Sequence, residues 1–281
     1  MRLVDSDDRD EFEGVDGPTA LMDHLNRITE EQATLGYAWE ASTIGEGSWE
    51  PYEVQESLIL TIVAICHACI EETIGRQCLE LGAGRLLWEI YVCAPIAIAS
   101  ELYMLILSAY RNLAFAPALP GALPEEMIHE SWRLVAESAE IEQRVLGAEI
   151  LTNLSVQDPS RVHPTQEHIA TLLQLFFTND DETALRIALV DLLSNLACDP
   201  GLCLLIIYEL DERKPRRYRR HSGAVYFLDL TEVTPDPALQ QSMEALAHNL
   251  SWSDPAGKRK IQKLGLSSFM TRFALEPAIN N

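Results

Sequence analysis

The sequence predicts an all-α solenoid built from repeated helical units. The dipeptide Asn-Leu recurs four times near the end of an apolar helical stretch, and its first two spacings are 41 and 42 residues. The third spacing is 54 residues and contains a basic insertion. A fixed period in this range is typical of stacked helical repeats, which offer an extended surface rather than a deep catalytic pocket. The four asparagines are Asn112, Asn153, Asn195 and Asn249.

The four helical windows that carry these asparagines can be overlaid residue by residue. Few glycines or prolines interrupt them, and apolar residues recur at helical spacing in all four. The apolar pattern is clearest at the leucine after each asparagine and at the position three residues before it. That second position holds Ala109, Ile150, Leu192 and Leu246.

The chain also repeats a helix-ending pattern after the helical windows. An Asp-Pro pair follows the last three asparagines, and Ala116-Pro117 stands at the corresponding place after Asn112. Proline cannot continue the preceding helix but suits the first turn of the next one, and the aspartate before it can cap that helix. We therefore expect each unit to end its long helix, turn sharply and begin again at 158–159, 199–200 and 254–255.

This pattern resembles the armadillo repeat, which has about 42 residues, three helices and a long third helix ending in Asn and an apolar residue. Residues 76–90 resemble the junction of that family, in which a short helix, a glycine-containing turn at Gly82 and Gly84 and the next helix follow one another. Residues 261–266 repeat it. The resemblance covers residues 54–275 and implies a right-handed superhelical solenoid of three-helix repeats. The alternatives are a related helical-pair solenoid and a generic all-α domain.

The predicted organisation has three parts. Residues 1–17 form an acidic, mobile lead-in, and residues 18–53 hold a helix at 19–33 and an irregular connection. Residues 54–281 form the repeat domain, with a basic insertion at 211–222. Solenoids need polar capping units at their ends, but the chain stops soon after an apolar run without a clear final unit. We expect either a fragment of a larger protein or an end that a partner covers.

Composition narrows the classes of partner. The formal charge is −22 and the pI is near 4.6, so most of the surface should repel nucleic acid and anionic membranes and attract basic partners. No uncharged apolar stretch reaches the ~18 residues of a membrane span, and the N-terminus lacks the pattern of a signal sequence. Six cysteines, mostly in predicted buried helices, fit a reducing intracellular compartment.

The resemblance implies a binding role for the repeated asparagines. In armadillo proteins the third helices line a concave groove, where asparagine side chains bond the backbone of an extended peptide. Asn112, Asn153, Asn195 and Asn249 are the matching positions. An amide suits this role because it offers two donors and an acceptor. The alternative is that these asparagines only tie down inter-repeat turns, as caps do.

Acidic residues share the predicted groove face. Residues four apart lie on one side of a helix, which places Glu149 and Asp191 beside two of the asparagines. Eleven residues are close to three turns, which adds Glu101 and Glu142. Importin-type armadillo proteins carry tryptophan four residues before the asparagine, where this chain has Ser108, Glu149, Asp191 and Ala245. We therefore predict an acidic groove for a Lys/Arg-bearing segment rather than an importin-like receptor. The alternative is an ordinary solvated face.

The segment 213–220 has six basic residues in eight, and the rest of the chain then carries 43 acids against 15 bases. Pro215 argues against a continuous helix there. A nuclear localisation signal, a weak and salt-sensitive contact with nucleic acid, a docking arm for an acidic partner and a solvated loop all remain open. The basic residues are Arg213, Lys214, Arg216, Arg217, Arg219 and Arg220.

Enzymatic and metal-binding patterns are weak. The run Cys66-His67-Ala68-Cys69 resembles half of a zinc site, but no second Cys-x-x-Cys follows at zinc-ribbon spacing. We expect Cys66, Cys69, Cys198 and Cys203 to be core residues. There is no glycine-rich phosphate loop and no nucleophile elbow. The sequence thus predicts a protein that is not an enzyme and needs no metal or cofactor.

The predicted function is a non-catalytic armadillo-repeat scaffold that binds a protein partner. An acidic solenoid with a basic loop favours an intracellular and nuclear assembly over a cytoplasmic one, and a chromatin-remodelling subunit is one candidate because some ARID-type subunits contain armadillo-like regions. Two other classes stay open. One is an exchange factor for Hsp70 or a small GTPase, and the other is a nucleic-acid contact through the basic loop.

Overall fold

The structure of the 281-residue chain is a computed structural model that describes residues 17–34, 51–93, 99–116, 122–156, 158–212, 227, 230–231 and 233–252. These segments contain eleven α-helices, one 3₁₀ helix and no strand, so the all-α prediction is confirmed. The 3₁₀ helix is Pro159–Val162. The α-helices are α1 Gly17–Thr34, α2 Pro51–Ala68, α3 Glu72–Glu80, α4 Ala83–Cys93, α5 Ala99–Phe115, α6 Glu125–Glu137, α7 Ile141–Ser155, α8 Gln166–Thr178, α9 Thr183–Leu196, α10 Pro200–Glu212 and α11 Pro237–Trp252.

The chain divides into two compact units, Met1–Glu130 and Ser131–Asn281, and the division falls within α6. In the first, called here the N-terminal unit, α2 packs along α5, and α1 lies against α2, α3 and α4. Its core includes Leu25, Ile62 and Ile106, all fully buried. The leading acids at 1–16 lie outside the described residues.

Two glycines make the turn and the close packing at the predicted junction of the N-terminal unit. Gly82 has a φ of 90°, a left-handed conformation that glycine adopts without the steric cost of a side chain. A Cβ atom on Gly84 would lie 2.3 Å from the carbonyl oxygen of Ala122, so the backbones approach too closely for any side chain. The buried Tyr110 hydroxyl donates a hydrogen bond to the Gly84 carbonyl, and burial raises the pKa of this phenol.

In the second part, called here the C-terminal unit, α9 is the central helix and packs against α7, α8 and α11. Burial is nearly complete along its inner side, where Leu185, Leu189 and Leu193 have no exposed surface. The Trp132 ring stacks on His168 with 4.1 Å between centroids, and its Nε1 donates to the carbonyl of Val162. These contacts join α8 and the 3₁₀ helix to the start of the unit.

The aspartates of the Asp-Pro pairs cap the following helices as predicted. Asp158 Oδ1 accepts from the backbone N–H of Ser160 at the start of the 3₁₀ helix. Asp199 Oδ1 accepts from the N–H groups of Gly201 and Leu202 in the first turn of α10. Unsatisfied N–H groups at a helix start are the natural partners of such carboxylates. The third pair, at 254–255, lies outside the described residues.

The apolar register of the overlaid windows is also confirmed. The residues three positions before the four asparagines are fully buried, and the leucines that follow the asparagines are at most 6% exposed. Because burial repeats at the same positions in α5, α7, α9 and α11, these are equivalent elements of successive repeats. We call them, together with α2, the third helices.

Candidate partner-binding faces of the third helices

Three of the repeated asparagines, Asn112, Asn195 and Asn249, tie neighbouring third helices together. Asn195 Nδ2 on α9 donates to the carbonyl of Thr152 on α7 over 3.0 Å. Asn249 Nδ2 on α11 donates to the carbonyl of Ser194 on α9 over 2.9 Å. In each pair the accepting residue immediately precedes the asparagine of the earlier helix.

These ties have a clear physical reason. The accepting carbonyls lie among the last four of their helices, where no later turn supplies a backbone N–H, and a side-chain amide can satisfy them. The second amide hydrogen of Asn195 has an acceptor in Ser155 Oγ at 3.4 Å, and that of Asn249 has Ser194 Oγ at 3.0 Å. This geometry matches the alternative in which the asparagines tie repeats. Their contact with a peptide stays a prediction.

The N-terminal unit contains the same tie and an additional register position that the Asn-Leu pattern does not reveal. Asn112 Nδ2 on α5 donates to the carbonyl of Cys66 on α2 over 2.7 Å. Cys66 therefore stands where Thr152 and Ser194 stand, and His67 occupies the asparagine position of α2. The available signal was Glu56, which precedes His67 by eleven residues as Glu101 precedes Asn112.

Two predicted acidic residues occupy equivalent positions on packed helices. Glu149 on α7 and Asp191 on α9 each precede the asparagine of their helix by four residues, and both are half-buried. The tie between Asn195 and Thr152 holds α7 and α9 in register, so both carboxylates belong to one face of the C-terminal unit. Within the described segments Asp191 forms no hydrogen bond or ion pair.

The other predicted site residues have separate placements. Glu142 is exposed in the first turn of α7, whereas Ser108 is half-buried on α5 and its hydroxyl donates to the Met104 carbonyl. Glu101 lies in α5, but its side chain is outside the described part. The basic residues Arg213, Lys214, Arg216, Arg217, Arg219 and Arg220 follow the end of α10 at Glu212 and also lie outside it.

The corresponding face of the N-terminal unit lacks the two carboxylates. Val63 and Ser108 take the positions of Glu149 and Asp191, and Ile59 and Met104 lie one turn further from the asparagine position. All four are half-buried. Three residues after that position, Ile70 and Phe115 are 61% and 59% exposed. We call three positions of each third helix its groove face. They lie three residues after the asparagine position, four residues before it and eight residues before it.

Solved structures of designed proteins share this fold. Designed armadillo repeat protein YIII(Dq)4CqI matches with a TM-score of 0.56 at 13% identity over 80% of this chain and 89% of that chain. Designed armadillo repeat protein YIII(Dq.V1)4CPAF in complex with peptide (KR)4 matches with a TM-score of 0.56 at 14% identity over 81% of this chain and 88% of that chain. A computationally designed armadillo repeat protein for modular peptide recognition matches with a TM-score of 0.53 at 15% identity over 79% of this chain and 87% of that chain.

The fold is that of the armadillo repeat. The sequence matches no protein-family model and no curated protein, so the likeness shows the fold without a particular family. The armadillo resemblance drawn from the Asn-Leu register is therefore confirmed. In this armadillo fold the short first helix of one repeat is α3, and in the repeat after the Asp158 cap a 3₁₀ turn takes its place.

The cysteines of the armadillo chain belong mainly to its interior. Cys69 and Cys78 are both buried, and the pKa of Cys69 is raised by the interaction of its thiol with the Cys78 side chain, together with burial. Cys203 is buried as predicted. The prediction that Cys198 is a core residue is wrong, because it follows the end of α9 and is exposed. Cys66, whose carbonyl accepts from Asn112, is half-buried.

The described segments contain neither a metal-binding cluster nor a helix that could span a membrane. No group of three or more His, Cys, Asp or Glu side chains there is arranged to hold a metal ion. None of the helices in the described part of this armadillo chain is long and apolar enough to cross a lipid bilayer.

Proposed function

We propose that this chain is a non-catalytic protein-binding scaffold whose C-terminal unit holds a Lys/Arg-bearing segment of a partner on the groove face of α7 and α9. The observation that carries the proposal is Asp191, a half-buried carboxylate on that face with no ion-pair partner in the described segments. A carboxylate in this setting gains more from a cationic ligand than a fully solvated one does, because water screens it less.

The hydrogen-bonding capacity of the face also favours a cation. The amide hydrogens of Asn195 are directed to Thr152 and Ser155, so its Oδ1 is the atom left to meet a ligand. The Asp191 carboxylate lies one turn before Asn195 on the same helix, so this part of the face presents acceptors. Lysine and arginine side chains carry only donors, which makes them the complementary groups.

Two further observations support a basic partner. The chain has a formal charge of −22, which attracts cationic segments at long range and raises their rate of association. A designed protein that shares the fold has been solved in complex with peptide (KR)4. That chain is 14% identical to this one, so (KR)4 is a suitable probe but does not identify the natural partner.

The setting that we propose is intracellular, in a nuclear assembly such as one of the chromatin-remodelling type. The six bases of 213–220 support this, since clusters of that kind serve as nuclear localisation signals. Contact of the same segment with nucleic acid, and exchange-factor activity on a GTPase or Hsp70, remain predictions.

The test is the affinity of a fluorescent (KR)4 peptide for the full chain by anisotropy. The double variant Glu149→Lys and Asp191→Lys replaces attraction with repulsion at two positions. Exposed ion pairs contribute roughly 0.2–1 kcal/mol each, and reversal adds a repulsive part, so we expect binding about tenfold weaker or more.

The matched control reverses two exposed acids of the same unit that lie outside the third helices, Glu167→Lys and Asp181→Lys. This variant has the same net charge as the test variant, so it measures long-range attraction alone. We expect a smaller loss than for the groove pair. Equal losses in both variants, or no binding of (KR)4 to the unaltered chain, would contradict the proposed site.

A further inference from the structure

We propose that the N-terminal unit carries a second site, away from the groove faces, that binds a methylated ammonium group such as that of trimethyllysine or choline. The site, called here the aromatic cluster, consists of Trp88 and Tyr91 on α4, Tyr103 on α5 and Glu130 on α6. All four residues belong to the N-terminal unit. The aromatic cluster and its ligand do not depend on the acidic face proposed for α7 and α9.

Tyr91 is the centre of the aromatic cluster and contacts each of the other members. Its ring stacks on that of Trp88, with 5.4 Å between centroids and 17° between planes. The same ring lies against that of Tyr103, with 4.7 Å between centroids and 42° between planes. The Tyr91 hydroxyl donates a hydrogen bond to Glu130 Oε1 over 2.6 Å. Three rings and one carboxylate from three helices therefore meet at one place.

The aromatic cluster lies away from the groove face of α5. Tyr103 precedes Asn112 by nine residues, which is about two and a half turns, so the two residues point to opposite sides of the helix. Trp88 and Tyr91 are three residues apart and share one side of α4, which is not one of the third helices. A ligand of the aromatic cluster therefore does not occupy the peptide groove of the armadillo repeat.

The rings reach the surface of the unit. Trp88, Tyr91 and Tyr103 are all half-buried, and so is Glu130. Within the described residues, the Trp88 indole N–H and the Tyr103 hydroxyl form no hydrogen bond. Tryptophan and tyrosine residues usually find partners for these groups when they are internal, and rings with an apolar body and a wet tip are enriched at binding surfaces. The open polar groups are thus a sign of a surface that receives a ligand.

An aromatic surface with a carboxylate at its edge attracts a cation. The faces of aromatic rings are electrically negative, tryptophan binds cations best among them, and the Glu130 carboxylate adds a formal charge. The basic residue nearest to Trp88 in the sequence is Arg85. Its Nε lies 3.1 Å from Glu89 Oε1 on the same helix, and in the described part of the chain it forms no contact with a ring. Arg85 is therefore not the cation of this site.

The hydrogen-bonding groups of the aromatic cluster favour a methylated ammonium. Lysine brings three N–H donors and arginine five, and each donor that leaves water needs an acceptor. The cluster offers ring faces, two open donors and a carboxylate that already accepts from Tyr91. A trimethylammonium group has no N–H donor, and its methyl groups can cover ring surface. Since the rings touch one another, the ammonium lies on their shared outer surface rather than between them.

The first test compares two probes of the same shape by NMR titration with the unaltered full chain. They are choline and 3,3-dimethylbutan-1-ol, in which an uncharged carbon replaces the ammonium nitrogen. We expect choline to bind about tenfold more tightly or better. Its methyl proton signals should also move upfield, because ring currents shield protons that lie over aromatic faces. Equal binding of the two probes, or choline binding without the upfield shift, would overturn the proposal.

Variants then locate the binding. Trp88→Leu with Tyr103→Leu keeps the net charge and removes two rings, so we expect about tenfold weaker choline binding, with circular dichroism as the check on folding. Glu130→Gln is milder, because glutamine still accepts from Tyr91, and should weaken binding about threefold. Glu125→Gln is its matched control, since Glu125 is exposed on the same helix. Equal losses in the two glutamine variants, or unchanged binding without the rings, would contradict the site.

A last pair of probes identifies the source of the ammonium group. The peptide GSKSG is titrated with its lysine trimethylated and with its lysine unmodified. Tighter binding of the trimethylated peptide than of choline would support a methylated side chain of a protein partner. Tighter binding of choline would support a free small molecule or a lipid headgroup. A preference for the unmodified peptide over the trimethylated one would overturn the proposal, because it would show that N–H donors are required.

Discussion

The groove faces of the two units share a framework and differ at the position four residues before the asparagine position. Asn112 ties α5 to α2 as Asn195 ties α9 to α7, with the same donor atom and the same position of the accepting carbonyl. Over that common framework Val63 and Ser108 stand in the N-terminal unit where Glu149 and Asp191 stand in the C-terminal unit. The tie uses the last turn of each helix, whereas the differing residues lie one turn earlier and are half-exposed.

This separation explains why the chemistry can vary while the fold does not. A buried position such as Ile150 is constrained by packing, since a change in volume there costs stability. Position 149, the residue before it, points to a different side of the helix and is partly exposed, so a charged or an apolar residue fits there with little effect on folding. Repeats can therefore keep their spacing and register while each presents a different contact to a partner.

The largest expected effect comes from adding a methyl group where two backbones meet in the N-terminal unit. Gly84→Ala would place Cβ 2.3 Å from the Ala122 carbonyl oxygen, and backbone must move to relieve the contact. We expect the free energy of unfolding to fall by about 3 kcal/mol or more. Amide hydrogen exchange should show faster opening in α4 and α5, because these helices pack on the altered position.

The corresponding change in the C-terminal unit sharpens the comparison. In Gly147→Ala the new Cβ would lie 2.8 Å from the Ser131 carbonyl oxygen, a milder clash, so we expect a loss of roughly 1–3 kcal/mol and faster exchange in α7. Gly201→Ala is the control, since its nearest neighbour is the Asp199 carboxylate at 3.2 Å. A Gly84→Ala chain as stable as this control would contradict the close approach.

An intermediate effect is expected from the ties themselves. Asn195→Asp keeps the shape of the side chain but sets a carboxylate oxygen against the Thr152 carbonyl, where an amide donated before. We expect a loss of about 1–3 kcal/mol in the free energy of unfolding by urea titration, and a similar loss for Asn112→Asp. The paired result tests whether the two units rely on the same contact.

Asn179→Asp provides a comparison for those variants. Asn179 Nδ2 also donates to a carbonyl, that of Leu175 over 2.7 Å, but this bond stays within one helix end. A tie between repeats should couple two helices, so the exchange of α7 amides should quicken in Asn195→Asp and not in Asn179→Asp. Unchanged exchange in α7 would mean that the Asn195 contact contributes little to joining the repeats.

The smallest effect is the salt dependence of binding at the two carboxylates of α7 and α9. Attraction between exposed charges weakens when the screening length falls, from about 10 Å at 0.1 M salt to about 3 Å at 1 M. The affinity of (KR)4 for the unaltered chain should therefore decline several-fold over that range. The decline should be smaller for the variant with Glu149→Lys and Asp191→Lys, because fewer attractive pairs are left to screen. An equal decline in both chains would argue against a contribution of these two carboxylates.

The fold was predictable because its signals are local and periodic. One sequence is enough to show three of these signals. They are Asn-Leu at a regular spacing, an apolar residue three positions before each asparagine, and capping aspartates at Asp158 and Asp199. The Asn-Leu pattern does not include α2, whose register position holds His67 rather than asparagine. Overlay on Glu56 would have recovered it, since that acid keeps the eleven-residue offset seen at Glu101.

Other features could not be inferred, because they depend on which surfaces meet. The stacking of Trp132 on His168 joins residues 36 positions apart, and no periodicity links them. The direction of the asparagine amides, towards the preceding helix, follows from the packing of α7 and α9 and not from residue type. The sequence predicts Cys198 beside the Asp-Pro turn as a core residue, yet it lies two residues beyond the end of α9 and is exposed.

The asparagine tie has a consequence for how such chains change in length. Asn195 and Asn249 are 54 residues apart, compared with 42 for the previous pair, yet the Asn249 contact is as short as that of Asn195. Extra residues between α10 and α11 are thus tolerated without altering the junction of α9 and α11. We therefore expect that a fluorescent protein, an affinity tag or a sensor domain inserted within 213–222 leaves both groove faces intact. This stretch is a suitable insertion site for engineering, and a place where evolution can add functions.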